Sequence, residues 1–283
     1  MIYRTNYIEW NPLRGCLRCS EGCNKCNIPN RYGPASFIKT QLNLPIRKDK
    51  SKKYKIPCGT IIKVCDSSDF FIEGYDMLRK DMWDIIDERR DCLFHITTRR
   101  VGNIEKMLPT NWGNGWSNVM ISVSVSSQDE ADRNIAEILD LPIVHRGINI
   151  SPMRNYINIS SYLLTDMIDE VEIHGESYKG LKRNIQGLDV EWIKELNRVC
   201  RNYDVSLKFG STGSLFITEQ GKIYIDNKSD EEGLADFYDL SYISKNHGTL
   251  NDIANNLEAE YRIEQANRLY MQLIENSLIA KER

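Results

Sequence analysis

Four cysteines crowd into one short segment near the start of the chain. Cys16, Cys19, Cys23 and Cys26 lie in WNPLRGCLRCSEGCNKCNIPN, among glycines, prolines and polar residues that favour a loop. Thiolates are soft ligands that suit zinc, copper(I) or an iron–sulfur cluster. The segment therefore predicts a loop that wraps around a metal centre.

The spacing of these thiols favours a cluster over a single zinc ion. Structural zinc usually takes two C-x2-C pairs a dozen or more residues apart, because each pair forms its own knuckle. Here the pairs Cys16/Cys19 and Cys23/Cys26 are separated by only three residues. Such crowding is awkward around one tetrahedral ion and easier around a wider cluster.

The other four cysteines, Cys58, Cys65, Cys92 and Cys200, stand singly in apolar surroundings, where a thiol usually acts as a small buried hydrophobe. The N-terminal segment lacks the apolar region and cleavage site of a signal peptide, and no run of about 18 apolar residues follows. We therefore expect a protein of the reducing cytoplasm with no membrane partner, whose thiols are ligands or core residues.

The charge balance argues against general binding to a polyphosphate backbone. The 283 residues include 37 Lys and Arg against 40 Asp and Glu, a formal net charge of −3. A local exception is Arg47–Lys55, RKDKSKKYK, which is strongly basic. It is predicted to be a solvated loop, with contact to phosphates as the alternative.

After the cysteine segment, short β-branched runs alternate with longer amphipathic stretches, which is typical of βα units. The predicted strands are Thr60–Cys65, Cys92–Thr97, Asn118–Val125, Ile143–Ile150, Val171–His174 and Val205–Phe209. The predicted helices are Tyr75–Glu88, Val101–Met107, Gln128–Leu139, Ser160–Met167 and Val190–Arg201. This alternation suits a parallel sheet closed or partly closed into a barrel, with an open doubly wound sheet as the alternative.

Beyond residue 210 the pattern changes. Ser214–Thr218 and Lys222–Asp226 predict a hairpin, Asn227–Gly233 a charged loop, and Leu250–Ile279 a helix with one apolar face that docks on the barrel or on a partner. The sequence thus predicts an α/β fold in two parts. Residues 1–210 form a partial (β/α)6-type barrel with an N-terminal cysteine loop, and residues 211–283 form a C-terminal hairpin and helical extension.

The spacing C-x3-C-x2-C, met by Cys19, Cys23 and Cys26, resembles the signature of the radical S-adenosylmethionine (radical SAM) superfamily. That resemblance implies a 4Fe-4S cluster held by three thiolates, with one iron left open to chelate S-adenosylmethionine. An electron from an external donor would cleave the sulfonium and yield a 5′-deoxyadenosyl radical. The implied function is hydrogen abstraction from, or rearrangement of, a substrate.

The same segment is also similar to a phage- and mobile-element-associated family with a three-cysteine motif, of unknown function and placed near these enzymes. Its opening, W-N-P-x-x-G-C-x6-C-x2-C, is matched by Trp10, Asn11, Pro12, Gly15, Cys16, Cys23 and Cys26. This register makes Cys16 the first ligand and leaves Cys19 spare, so two registers compete. The association with phages favours a nucleobase or nucleic acid as substrate, ahead of a peptide or small metabolite, and the host cytoplasm as the location.

The resemblance continues to about residue 210 through shorter motifs. The matching segments are Val64–Phe70 (S-x-S-D), Ile96–Arg100 (L-T-K-R-P), Ser122–Ser126 (G-V-S-V-E), Ala131–Arg133 (A-D-R), His174–Glu176 (G-G-E) and Leu207–Phe209 (F-F-K-Q). They lie at the C-terminal ends of predicted strands, where a barrel of this kind gathers its active-site groups.

Roles in binding S-adenosylmethionine follow from this placement. Serine hydroxyls can hydrogen-bond its ammonium and carboxylate, an aspartate can accept from the ammonium, and an arginine can clamp the carboxylate. No residue acting on the substrate is predicted. The predicted cofactor-binding residues are Ser67, Ser68, Asp69, Arg99, Ser124, Glu176 and Lys208.

Three positions depart from the family pattern: Thr98 replaces a lysine, Ser151 a glutamate and His174 a glycine. Structural roles are the alternative for the site residues: the serines as strand-end caps, Arg99 as a surface charge, His174 as a hydrogen-bonded structural histidine, and Glu176 with Lys208 as an ion pair across the barrel mouth.

Two other functions compete with the radical enzyme. One is a zinc-stabilised module that binds nucleic acid through the basic loop. The other is a cluster-bearing, non-catalytic scaffold or electron carrier, because a fold does not fix a function.

Overall fold

The computed structural model describes residues 7–24, 26–177, 185–225, 228–246 and 249–281. Its strands are β1 (Tyr7–Trp10), β2 (Leu13–Arg14), β3 (Ser36–Phe37), β4 (Ile61–Val64), β5 (Leu93–Thr98), β6 (Val119–Val125), β7 (His145–Ile150), β8 (Glu170–His174), β9 (Leu188–Asp189), β10 (Ser206–Ser211), β11 (Leu215–Thr218) and β12 (Gly221–Tyr224). Its helices are α1 (Asn27–Tyr32), α2 (Lys39–Leu42), α3 (Asp76–Glu88), α4 (Ile104–Met107), α5 (Gln128–Leu139), α6 (Ser160–Leu163), α7 (Val190–Asn202), α8 (Lys228–Phe237) and α9 (Leu250–Lys281).

Seven of the described strands form one parallel sheet in the order β1-β4-β5-β6-β7-β8-β10. The sheet curls into a half-barrel flanked by helices, which confirms the predicted α/β fold class. The sheet has one strand more than predicted, because β1 was missed. That strand is only four residues long and buries just Trp10 fully, so it lacks the apolar run that marks a buried strand.

Several predicted elements differ in the structure. Of the predicted helix Val101–Met107, only Ile104–Met107 is α-helical, and a 3-10 turn precedes it. The strand predicted from Ile143 begins at His145.

Helix α6 ends at Leu163 rather than at Met167, and Asp166 beyond it adopts a left-handed backbone conformation with φ of 60°. The segment predicted as a charged loop contains helix α8, while Asn227 lies outside the described residues. The many charges of this segment favoured a loop in the prediction. In the structure, α8 has an apolar side on which Ala235 is buried and Leu234 packs against the core.

The two faces of the sheet are chemically different. Successive side chains of a strand point to opposite faces. In β6, Val119, Ile121 and Val123 therefore pack outward into the core shared with the helices, whereas Ser122 and Ser124 alternate with them. The apolar core thus lies outside the barrel, and polar side chains are left for its interior.

Helix α9 closes the amino-terminal end of the barrel. Its buried residues pack against the first inward-facing side chains of β4, β5 and β6, and form a separate apolar cluster. The members of this cluster are Ile61, Leu93, Met120, Leu250, Ile253, Ala254 and Leu257. The predicted docking face is therefore confirmed for the start of the helix. Within the described part of the chain, no helix has the length and apolarity that spanning a membrane requires.

The predicted C-terminal hairpin is confirmed as β11 and β12, which pair antiparallel, while Asp226, at the end of the predicted second strand, lies outside the described residues. Strand β9, which directly precedes α7, pairs parallel with β11 on its other side. The hairpin is thereby tied to the barrel part of the chain. The division of the chain into two parts near residue 210 stays a prediction.

The cluster under the barrel allows a direct test of stability. Leu250 is 1% exposed and Leu269, further along α9, is 59% exposed. We expect Leu250→Ala to lower the free energy of unfolding by about 2–4 kcal/mol, because it opens a cavity in the cluster. The matched control Leu269→Ala should change it by less than about 0.5 kcal/mol. Urea unfolding followed by circular dichroism measures both, and equal values would contradict the seating of α9.

Candidate active site

A cleft of about 480 Å³ opens at the carboxyl ends of the parallel strands. The cysteine loop covers one side of it. The other wall is formed by residues that end or follow β4, β5, β6, β7 and β8, with Ser211 from β10. This is the edge of the sheet where the predicted motifs were expected to meet.

The four cysteines of the loop are not equivalent. Cys16, Cys23 and Cys26 line the cleft. Cys19 is exposed and lines a separate surface depression, although its Sγ lies 3.9 Å from that of Cys23. Hydrogen bonds from Cys19 and Ser20 lower the pKa of Cys23 to about 4, against the effect of burial. Among the described residues, no three His, Cys, Asp or Glu side chains are grouped to hold a metal ion.

One end of the loop is anchored by Glu130 on α5. This buried carboxylate accepts from the backbone N–H of Gly22, at 3.4 Å, and forms an ion pair with Arg99, at 3.0 Å. It also accepts from the backbone N–H and hydroxyl of Ser126, both at 2.8 Å. Burial raises the pKa of Glu130, but the Ser126 bonds and the Arg99 charge lower it overall. A Cβ at Gly22 would lie 2.3 Å from the Arg99 guanidinium, so a larger residue here would displace the Arg99 side chain.

The other end of the loop is anchored by Asp69 through Arg100. Arg100 lies 3.0 Å from the Asp69 carboxylate, donates to the Leu17 carbonyl at 2.7 Å and contacts Cys16 Sγ at 3.7 Å. Asp69 also accepts from the Thr98 hydroxyl at 2.9 Å. Thr98 therefore positions this carboxylate. Sequence reasoning missed Arg100, whose signal was its place beside Arg99 at a strand end.

The predicted arginine and aspartate are thus engaged within the protein. Arg99 lines the cleft, but its guanidinium reaches Glu130, Ser20 and the Ser151 carbonyl, so it is not a surface charge. Asp69 lines the cleft as well, with its carboxylate oxygens occupied. Both side chains hold the loop against the barrel.

The predicted serines have different environments. The Ser68 hydroxyl lines the cleft and donates to the Gly15 carbonyl at 2.6 Å. Ser124 lines the cleft at the end of β6. The Ser67 hydroxyl is buried without a hydrogen-bond partner among the described residues, and its backbone N–H donates to Asn11 Oδ1 at 3.0 Å. Asn11 thereby ties the end of β1 to the end of β4.

The alternative of a Glu176–Lys208 ion pair is wrong. Lys208 instead pairs with Glu172, at 2.9 Å, inside the barrel. His174 lines the cleft and reaches the same carboxylate with Nε2, at 3.3 Å. Glu176 lines the cleft and pairs with Arg154 Nε at 3.2 Å. The difference follows from strand geometry, because Lys208 and Glu172 are direct neighbours on β10 and β8.

The floor of the cleft holds polar residues that sequence reasoning missed. His95 on β5, Asn149 on β7 and Lys63 on β4 all line it. Burial lowers the pKa of His95 to about 3, so its ring is neutral. The Lys63 ammonium lies 4.4 Å from the centre of the Tyr7 ring. In the sequence, each of them is a polar residue between two apolar neighbours within a strand, and this was the signal that could have found them.

The basic loop lies away from the cleft. Arg47–Lys55 is almost wholly exposed, as predicted for a solvated loop, and Asp49 accepts from two backbone N–H groups within it. The carbonyls that flank it, of Pro45 and Ile56, accept from Arg89 just before β5. The loop therefore packs at the amino-terminal edge of the sheet.

Of the four scattered cysteines, Cys65, Cys92 and Cys200 are buried and Cys58 is half-buried.

Comparison with known proteins gives a family for this chain. Residues 4–236 match the family described as "Protein of unknown function (DUF5131)". The chain belongs to this family. A solved structure titled "Spore photoproduct lyase complexed with dinucleoside spore photoproduct" is similar with a TM-score of 0.39 and 11% identity, over 82% of this chain and 72% of that chain. A likeness this weak supports no conclusion about function. No curated protein matches the chain.

Two neighbouring carboxylates on β8 should respond to pH in opposite ways. Burial raises the pKa of Glu170 from 4.5 to about 7, so its ionisation costs stability as the pH rises through this range. We expect Glu170→Gln to raise the free energy of unfolding by about 2–3 kcal/mol at pH 8. The gain should vanish as the pH falls toward 4.5.

Glu172 provides the matched contrast. Burial raises its pKa, but His174 and Lys208 outweigh burial and hold the pKa well below its usual value. Its ionised form therefore stabilises the fold above about pH 4.5, and this contribution is lost at lower pH. We expect Glu172→Gln to destabilise the protein at pH 8. Urea unfolding at several pH values measures both variants, and shifts of the same sign would contradict this assignment.

Proposed function

We propose that this protein is a radical S-adenosylmethionine enzyme, in which Cys16, Cys23 and Cys26 hold a 4Fe-4S cluster at the mouth of the cleft. The observation that carries the proposal is the division of the four thiols. Three line the cleft, and Cys19 faces a different depression. Three thiolate ligands would leave one iron of a four-iron cluster without a protein ligand.

The donor chemistry of the loop fits such a cluster, which is wider than the single metal ion for which the described side chains are not grouped. Thiolates are the ligands that iron–sulfur clusters take, and hydrogen bonds and nearby charge tune the cluster. Arg99 and Arg100 both line the cleft beside these thiols, and Arg100 contacts Cys16. When bound, the cluster supplies the electron that cleaves S-adenosylmethionine. The chain itself fixes the loop through two buried ion pairs, Glu130 with Arg99 and Asp69 with Arg100.

Other groups in the cleft are available for the cofactor's polar ends. The Ser68 hydroxyl donates its hydrogen to Gly15, so its oxygen remains free to accept from an ammonium. Ser124 adds a second hydroxyl. Arg154 Nη2 is buried without a partner among the described residues, and this makes Arg154 the donor available for a carboxylate in place of Arg99.

The proposed enzyme needs an external electron donor and acts on a substrate held below the cofactor, in a reducing cytoplasm. The geometry does not favour the zinc-stabilised nucleic-acid module. Its basic loop packs beside Arg89 at one edge of the sheet, and the cysteine loop lies at the other.

Single cysteine variants test the proposal. After anaerobic reconstitution, the native chain should hold about four irons and release 5′-deoxyadenosine when reduced with S-adenosylmethionine. We expect Cys16→Ala, Cys23→Ala and Cys26→Ala each to lose the cluster and the product. Cys19→Ala is the matched control from the same loop and should keep both. Iron and sulfide assays, electron paramagnetic resonance and chromatography of the product measure the outcome.

Three results would count against the proposal in different ways. Binding of one zinc ion per chain in place of iron would contradict the proposed radical enzyme. Loss of the cluster in Cys19→Ala but not in Cys16→Ala would shift the ligands to the other register. A cluster that binds no S-adenosylmethionine in calorimetry would favour a non-catalytic scaffold.

A further inference from the structure

Two buried polar atoms on the floor of the cleft have no partner within the described protein. They are Nδ1 of His95, which is 3% exposed, and Oδ1 of Asn149, which is 9% exposed. Both residues line the cleft. An unpaired buried polar atom costs stability, and native structures keep few of them. Two in one cleft indicate that a ligand completes their hydrogen bonds.

The orientation of the His95 ring is fixed by a hydrogen bond to the neighbouring strand β6. Its Nε2 lies 2.7 Å from the Ser122 hydroxyl on the neighbouring strand. Gly147 lies beside Ser122, and a Cβ there would displace the hydroxyl because it would lie 2.3 Å from the oxygen. The ring therefore has one fixed orientation, with Nδ1 left to form a single hydrogen bond. Since the ring is neutral, that bond suits an uncharged group.

Asn149 and Lys63 indicate which hydrogen-bond donor and acceptor a ligand would present to the floor of the cleft. The Asn149 oxygen can only accept, so the ligand must present an N–H or O–H to it. The Lys63 ammonium lies over the Tyr7 ring and forms no ion pair among the described residues, so it can donate to an oxygen of the ligand. A cationic ligand is disfavoured by Lys63. Glu172 offers no site for one either, because Lys208 and His174 occupy it.

We propose that this floor site, formed by His95, Asn149 and Lys63, binds a neutral cyclic imide or lactam, in which an N–H stands beside a carbonyl oxygen. The ligand's N–H donates to Asn149 Oδ1, its carbonyl accepts from Lys63, and His95 forms the third bond. The flat ring lies near Tyr7, which also lines the cleft. This inference rests on the proposed function only in that the bound group would be the substrate.

A pair of small probes tests the pattern directly. 1-Methyluracil keeps one N–H between two carbonyls, and 1,3-dimethyluracil replaces that hydrogen with a methyl group. We expect 1-methyluracil to bind the full chain, and the dimethyl probe to bind at least about tenfold more weakly, because the buried acceptor is left unpaired. Ligand-observed NMR titration measures both affinities, with and without reconstitution of the cluster.

Asn149→Leu separates a binding role from a structural one. We expect it to weaken 1-methyluracil binding by about tenfold. Without ligand, its unfolding midpoint in urea should be equal to or higher than that of the native chain, because an unpaired buried amide is removed. The matched control Asn202→Leu, at the exposed end of α7, should leave binding unchanged.

Each outcome decides between the inference and the proposed function. Equal binding of the two probes, no binding of 1-methyluracil, or a destabilised Asn149→Leu variant overturns the floor site, whatever the cluster does. Binding that depends on Asn149 in a chain that never yields 5′-deoxyadenosine supports the floor site and overturns the radical enzyme.

Discussion

The attachment of the cysteine loop to the barrel by two buried carboxylate–arginine pairs is the constraint on which the site depends. Glu130 with Arg99 holds the loop at Gly22, and Asp69 with Arg100 holds it at Cys16 and Leu17. Removing one partner of such a pair typically costs about 3–5 kcal/mol, because it leaves a buried charge uncompensated. A loop with little regular structure of its own is thereby given one position over the strand ends.

This arrangement also explains why conspicuous charged residues are not free in the cleft. Arg99 and Asp69 form their hydrogen bonds within the protein. Deeper in the cleft, His95 and Asn149 keep polar atoms that can bind a ligand. Polar side chains can occupy the barrel interior because the main apolar core lies between the sheet and the helices. Helix α9 seals the amino-terminal end with the cluster that contains Leu250, so the described residues leave ligands an entrance at the cysteine end.

Local patterns predicted most of the fold well. The helix over Gln128–Leu139 was predicted to the residue, because its apolar spacing is a local signal. Strand β1 and helix α8 were missed for a related reason. Their stability comes from neighbours distant in sequence, β4 for the strand and the barrel core for the helix, and a short or charged segment carries little trace of such contacts.

The sequence by itself determined that four soft thiols lie in one short segment, and it determined the βα alternation that brings the strand ends together. Only the tertiary structure decided which thiols face the cleft, that Lys208 pairs with Glu172 rather than with Glu176, and that His95 and Asn149 lie on the floor unpaired. The physical reason is that spacing along the chain determines only which residues can be neighbours within one loop, helix or strand. Partners and burial depend on the register of strands and on helices from other parts of the molecule.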